Sequence, residues 1–253
     1  MPSANVSDGE YSTRGRILSR AHQSMRIASL LNISESELSV KKFNIFIGIS
    51  LGNKYFSREH IRAYITWAIE NTKDKVIVLI PDKIHAINYE VKGEYSPKRA
   101  AAVAKRKGDE IEQMVAAITE ELNISESKLQ IVRWEQIEDV HYLQMLSVFR
   151  NAFEKNLEFR KTIIDITKGT PHIRNLNLNE VQYKKLSQYV IDELPMLVSG
   201  IRKDGTAYEL LPYPGFVNID YLSMDIQAGK TFPDITRALN IENKCRLVEI
   251  YAD

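Results

Sequence analysis

IFIGISLGNKYFS, residues 45 to 57, joins an apolar run to an amphipathic one through a short glycine-bearing break. The apolar run extends from Phe43 to Ile49 and ends abruptly in Ser50-Leu51-Gly52-Asn53. From Ser57 to Ile69, Tyr64, Ile65, Ala68 and Ile69 recur at helical spacing, and Ser57 followed by Glu59 suits the opening of a helix. The order is therefore strand, tight turn, helix. A short apolar run bounded by turn residues fits a buried parallel strand, and open α/β sheets bind ligands beyond the carboxyl ends of such strands. Ser50 stands at that end, with Gly48 and Gly52 on either side leaving room for a ligand to approach its hydroxyl.

The remaining runs repeat this alternation. KVIVLIPD, residues 75 to 82, lacks polar alternation and reads as a strand buried on both faces, and Leu129 to Trp134 reads as a third strand. A helix is expected from Pro97 to Glu121, another from about Val140 to Phe159 with Leu143, Leu146, Phe149 and Phe153 as core, and another from about Asn179 to Leu194, ended by Pro195. A short strand is expected in YELLPYP, 208 to 214, and a last one in CRLVEIYA, 245 to 252. This is the pattern of a doubly wound parallel sheet in one domain over 16 to 253. Upstream, a helix is expected over Ile17 to Leu31, and residues 1 to 15 read as a polar, disordered tail. LNISESEL at 31 to 38 returns as LNISESKL at 122 to 129, each read as a helix end, a turn and a strand entry; two copies alone do not make a repeat architecture.

Composition narrows the chemistry. The 34 Lys and Arg nearly cancel the 33 Asp and Glu, so a polyanion has to be gripped by a local patch. Such a patch lies on the 97 to 121 helix, where Lys98, Arg99, Lys105, Arg106 and Lys107 fall roughly on one side; the alternative is an ordinary solvated face. One cysteine, Cys245, excludes an internal disulfide and a cysteine zinc cluster, and five histidines at 22, 60, 85, 141 and 172 show no ligand spacing. No run approaches the ~18 apolar residues of a membrane span and no signal pattern opens the chain, so a cytoplasmic location away from membranes is expected. No phosphate-binding Gly-x-x-x-x-Gly-Lys or Gly-x-Gly-x-x-Gly loop follows the first strand. Gly48-Ile49-Ser50-Leu51-Gly52 matches the nucleophile elbow of serine hydrolases, but that class needs a general-base histidine late in the chain, and none follows His172.

IGISLGNKYFS, the segment from Tyr189 through Glu193 to Pro195, and Tyr213-Pro214 occur in an order and at separations that resemble the cyclodipeptide synthases, across most of residues 43 to 220. The resemblance implies an α/β, Rossmann-like domain with a mainly parallel sheet flanked by helices, resembling the catalytic domain of class I tyrosyl- and tryptophanyl-tRNA synthetases. The ATP-site motifs of those synthetases are missing here, as suits an enzyme that receives amino acids already activated on tRNA, with no ATP, metal or other cofactor. It further implies two aminoacyl-tRNAs as substrates and a ping-pong reaction through an aminoacyl ester on Ser50. Tyr189 and Glu193 would hold the amino group, Tyr213 would assist proton transfer, Asn53 would orient substrate, and the basic helix would contact tRNA. Asn53 together with Tyr213-Pro214 combines features that two subgroups of the family keep apart. Phe46, Gly48, Val78, Ile80, Met196 and Leu211 are expected to line apolar side-chain pockets. DNA is not an expected partner, and the protein is expected to be a monomer or weak dimer. A non-catalytic tRNA- or RNA-binding Rossmann domain, in which Ser50 is only a turn residue, is the competing reading.

Overall fold

Apolar runs without alternation become strands covered on both faces, and they set the frame of the computed structural model, which describes residues 25–171 and 173–252. In chain order, β1 (Met25–Leu31) and a short α1 (Glu35–Ser39) precede β2 (Ile45–Gly48) and α2 (Arg58–Asn71). Next come β3 (Val76–Ile80), α3 (Asp82–Lys92), α4 (Pro97–Glu121) and β4 (Leu129–Arg133). After α5 (Val140–Lys155), α6 (Leu157–Gly169) and α7 (Glu180–Ser199) follows a small hairpin of β5 (Ile201–Lys203) and β6 (Thr206–Tyr208). The chain closes with β7 (Leu210–Tyr213), α8 (Asn218–Gln227), α9 (Pro233–Leu239) and β8 (Arg246–Ala252).

The main sheet has the order β1-β8-β7-β2-β3-β4, and every pairing is parallel except that of β1 with β8. From β2 the chain winds outward through β3 and β4, then returns to the other side of β2 as β7 and β8. The point where strand order reverses lies between β2 and β7, where doubly wound sheets open a crevice at their carboxyl ends. Alternation divides the strand residues between two cores. Phe46, Ile77 and Leu79 pack with α5 to α9, whereas Ile45, Ile47, Val76 and Val78 pack with α2 and α4. Each such buried side chain contributes about 1.5–3 kcal/mol.

Asn44 fastens β2 at the reversal point. Its carbonyl accepts from Glu209 N (3.1 Å) and Leu210 N (3.2 Å), its Oδ1 accepts from Asp74 N (3.1 Å) and Lys75 N (2.9 Å), and its Nδ2 donates to the Ala207 carbonyl (3.0 Å). Arg133, at the end of β4, similarly ties Asp82 of α3 (2.7 Å) to Asp109 (2.7 Å) and Glu112 of α4. That guanidinium passes over Gly108, where a Cβ would overlap Nη1, so a glycine in mid-helix is what lets α4 sit against β4.

Several expectations need correction. Residues 25–31 of the expected 17–31 helix form an edge strand paired with β8, with a register shift between Ile27 and Ser29 that breaks the alternation; residues 17 to 24, like the tail at 1 to 15, lie outside the described residues. The first LNISES copy therefore follows a strand and opens α1 through a Ser34–Glu37 capping box, while the second is the expected turn between α4 and β4; the shared feature is a left-handed asparagine, Asn32 and Asn123. The 140 to 159 helix breaks at Asn156, whose side chain caps α6, and Leu143 faces solvent. Pro195 does not end α7: its ring removes one helical hydrogen bond, and the burial of Leu194, Met196, Leu197 and Val198 offsets that loss. The 208 to 214 strand divides, Tyr208 belonging to β6 and residues 210–213 to β7.

Asn44→Ala leaves the Lys75 N–H and the Ala207 carbonyl without their partner, and is expected to cost about 1–3 kcal/mol. In urea unfolding the midpoint should fall with the slope unchanged, and an unchanged midpoint would remove Asn44 from this role.

Candidate active site

The turn after β2 is built by glycine. Asn53 N donates to the Ser50 carbonyl (3.2 Å), and Gly52 takes φ +77° at the third turn position, as a type II turn requires. The turn leaves Ser50 at the tip of β2, facing a cavity of about 110 Å³ at the reversal point of the sheet. The cavity floor is apolar, with Gly48, Leu79, Trp134, Met196, Leu197 and Leu211. Gly48 pairs with Leu79 across the sheet and faces Leu211, whose Cδ1 lies 3.8 Å from where a Cβ would stand; its missing side chain is part of the open volume.

Polar groups gather at one side. Tyr213, at the end of β7, lines the cavity beside Ser50, near enough for the serine hydroxyl to influence its phenol. From α7, Tyr189 and Glu193 stand one turn apart on one face, and the Tyr189 phenol lies beside the Glu193 carboxylate. Asp220, from the first turn of α8, adds a second carboxylate, whose Oδ2 accepts from Val217 N (2.7 Å). None of the described residues lining the cavity is Lys, Arg or His. Burial without a counter-cation pushes Glu193 up to about 8, opposed by the Tyr189 phenol and reinforced by the charges of Asp220 and Asp192. Burial also raises Asp220 to about 6, against the Val217 N–H. The Tyr189 and Tyr213 phenols are raised by burial and then by the Glu193 charge, so both stay protonated at neutral pH. Ser50 is therefore a hydroxyl beside a neutral phenol and two carboxylates that have no described cation on the cavity walls.

The model of the family described as cyclodipeptide synthase matches residues 22–220. This chain belongs to the cyclodipeptide synthase family. Among solved structures, the family member from Staphylococcus haemolyticus is 16% identical with a TM-score of 0.69, over 92% of this chain and 100% of its own. A Mycobacterium tuberculosis protein, described as demonstrating that cyclodipeptide synthetases are related to type I tRNA synthetases, is 16% identical with a TM-score of 0.68, over 93% and 99%. The cyclodipeptide synthase from Candidatus Glomeribacter gigasporarum, solved bound to Phe-tRNAPhe, is 16% identical with a TM-score of 0.52, over 81% and 85%. These likenesses establish the Rossmann-like, mainly parallel fold. No curated protein matches the sequence significantly.

In this family member, Ser50, Tyr189, Glu193, Tyr213, Gly48, Met196 and Leu211 meet at one cavity. Phe46 lies in the core on the same side of the sheet without lining it. Val78 and Ile80 do not reach it: Val78 packs in the core under α2 and α4, and alternation puts Ile80 on that same face, so Leu79 is the β3 residue that lines the cavity. β3 is apolar throughout, so its sequence carries no sign of which parity faces the ligand. Asn53 is exposed at the turn, its Oδ1 accepting from Tyr55 N (3.0 Å), and does not line the cavity. Trp134, Leu197 and Asp220 were not legible as site residues. Asp220 reads locally as an ordinary first-turn acid of a helix.

The five basic residues line the first half of α4. Lys105 pairs with Asp109 (3.2 Å), Arg106 with Glu110 (2.7 Å) and Lys107 with Glu110 (2.7 Å), while Arg99 lies over the Tyr95 ring (4.2 Å). Tyr89 of α3 lies between this helix and the turn after β2. Its hydroxyl is 3.9 Å from the Cβ position of Gly52 and lies within the field of Lys107 and Arg106. The hydrolase reading loses its base: His141 hydrogen-bonds Ser199 (3.2 Å) and His60 the Tyr55 carbonyl (2.6 Å), and no described histidine lines the cavity. Among the described residues no helix is long and apolar enough to cross a membrane.

Because Glu193 holds its proton more tightly folded than unfolded, its contribution to stability is complete below pH ~4.5 and declines as pH rises toward about 8. Glu193→Gln removes that decline. Thermal unfolding should show the variant close to wild type at pH 5 and more stable by about 2–4 kcal/mol at pH 8.5; equal curves at both pH values would contradict the burial argument.

Proposed function

We propose that this chain joins two amino acids into a cyclic dipeptide, taking each from an aminoacyl-tRNA, by a ping-pong route through an aminoacyl ester on Ser50. The observation that carries the reading is that Ser50, Tyr213, Tyr189 and Glu193, brought from three elements far apart in sequence, line one cavity at the reversal point of the sheet. Membership of the family supports the overall reaction, and the similar synthase bound to Phe-tRNAPhe supports charged tRNA as its substrate.

In the first half, the Ser50 Oγ attacks the ester carbonyl of a charged tRNA. The bond to the ribose oxygen breaks, the serine proton ends on that oxygen, and Ser50 carries the aminoacyl group. The apolar floor favours an apolar side chain on this group. Glu193 and Tyr189 hold its ammonium, whose charge supplies the cation that the buried carboxylate lacks. In the second half, the amine of a second aminoacyl-tRNA attacks the Ser50 ester, forming a peptide bond and returning a proton to Oγ. The first amine then passes a proton to Glu193 and attacks the remaining tRNA ester; the bond to the ribose oxygen breaks, the second nitrogen proton ends on that oxygen, and the ring closes as the tRNA leaves. Tyr213, beside Ser50 in the cavity, relays protons at Oγ. The ester bonds supply the driving force, so the scheme calls for neither ATP nor metal.

The tRNA body is assigned to α4, whose basic half is linked through Tyr89 to the turn that carries Ser50. Phosphates would replace Asp109 and Glu110 as partners of Lys105, Arg106 and Lys107. Neutralising these three should weaken tRNA binding and lower its log–log salt slope by roughly one unit per lost contact; an unchanged slope removes α4 from the tRNA path.

The test of the reaction is mass spectrometry of medium from a bacterial host expressing wild type or Ser50→Ala. Cyclic dipeptides should be present with wild type and absent with the variant, tRNA binding being retained by both. If neither culture contains them although the protein folds and binds tRNA, the reading as a binding domain replaces this one.

A further inference from the structure

The cavity contains one carboxylate more than the first aminoacyl group requires. We propose that Asp220 is the seat of the second substrate's α-ammonium and takes the proton that makes that amine a nucleophile. The inference rests on the two-substrate reading above.

Asp220 is 7% exposed and joins Glu193 in lining the same cavity from a different helix. Only Oδ2 is engaged, by the Val217 N–H at 2.7 Å; Oδ1 has no hydrogen-bond partner among the described residues. Two carboxylates share a space without a described lysine, arginine or histidine on its walls, and they feel one another's charge. A buried carboxylate in that position either stays protonated or waits for a cation from outside. The reaction brings two cations, one ammonium on each aminoacyl group, which makes the occupied cavity electrically balanced.

Chemistry also argues for two seats instead of one. While the second amine attacks the Ser50 ester it must be neutral, whereas the first amine has to stay protonated until ring closure. A single carboxylate serving both would mix these states. With separate seats, the second ammonium gives one proton to Asp220, its nitrogen bonds to the Ser50-bound carbonyl carbon as the Oγ–C bond breaks, and the second nitrogen proton passes to Oγ. Asp220 then returns its proton to water as the cavity opens. Burial holds Asp220 at about 6, not far below an α-amino group, so this transfer is only modestly uphill.

Asp220→Asn keeps an oxygen for the Val217 N–H and removes the charge. Wild type and variant are each mixed with one labelled aminoacyl-tRNA to score acylation of the protein, and the isolated acyl-enzymes are then titrated with a second aminoacyl-tRNA. We expect acylation within about twofold of wild type, transfer slowed by about 100-fold or more with a raised KM for the second substrate, and partial recovery in Asp220→Glu. Transfer within about threefold of wild type overturns the assignment. So does a matched loss of acylation and transfer with a lowered unfolding midpoint, which is the signature of a structural cap. If Asp220→Asn does not fold, Asp220→Glu carries the test, and it must slow transfer more than acylation. Absence of acylation in wild type defeats the underlying ester mechanism, a result separate from any effect at Asp220.

Discussion

The site depends on how β2 is clamped between strands that are far apart in sequence. Asn44 does this with five hydrogen bonds, three to the segment entering β7 and two to the one entering β3. With the amino ends of three parallel strands pinned together, their carboxyl ends come into register. Ser50 and Tyr213 meet there because both strands run only four residues beyond the clamp. The α7 helix packs across the same opening, so Tyr189 and Glu193 arrive from above while the strands supply the floor.

The cavity is less favourable for the free protein than an apolar one would be. Two carboxylates, three hydroxyls and no described cation share an enclosure walled by Trp134, Leu79, Leu197 and Met196. Such groups cost free energy in the empty protein and recover it when ammonium groups enter. Binding of charged amines and the tuning of their protonation are thus one physical fact. The two acids need not behave alike, since Glu193 lies beside a phenol and Asp220 accepts from a backbone amide at a helix start.

Much of this was legible in the sequence. Abrupt ends of apolar runs located Ser50, and helical spacing paired Tyr189 with Glu193, because each of those patterns is local. What escaped depended on partners far along the chain. β1 reads as a helix in sequence because its pairing with β8 is not local and its bulge hides the alternation. Val78 and Ile80 look equally suited to the pocket because a strand buried on both faces gives no hint of parity. Pro195 reads as a helix end since local propensity says nothing of the core beneath it. Asp220 was invisible for the opposite reason: an acid in a first helical turn already has a sufficient local explanation.

The central claim is a covalent ester on Ser50, and peptide-mapping mass spectrometry of the acylated protein tests it most directly. Purified protein is mixed with a single charged tRNA, quenched in acid and digested. The account predicts a mass increase of one aminoacyl residue, localised to the peptide containing Ser50 and absent from Ser50→Ala. Cyclic dipeptide formed without that adduct, or an adduct on another residue, would contradict it.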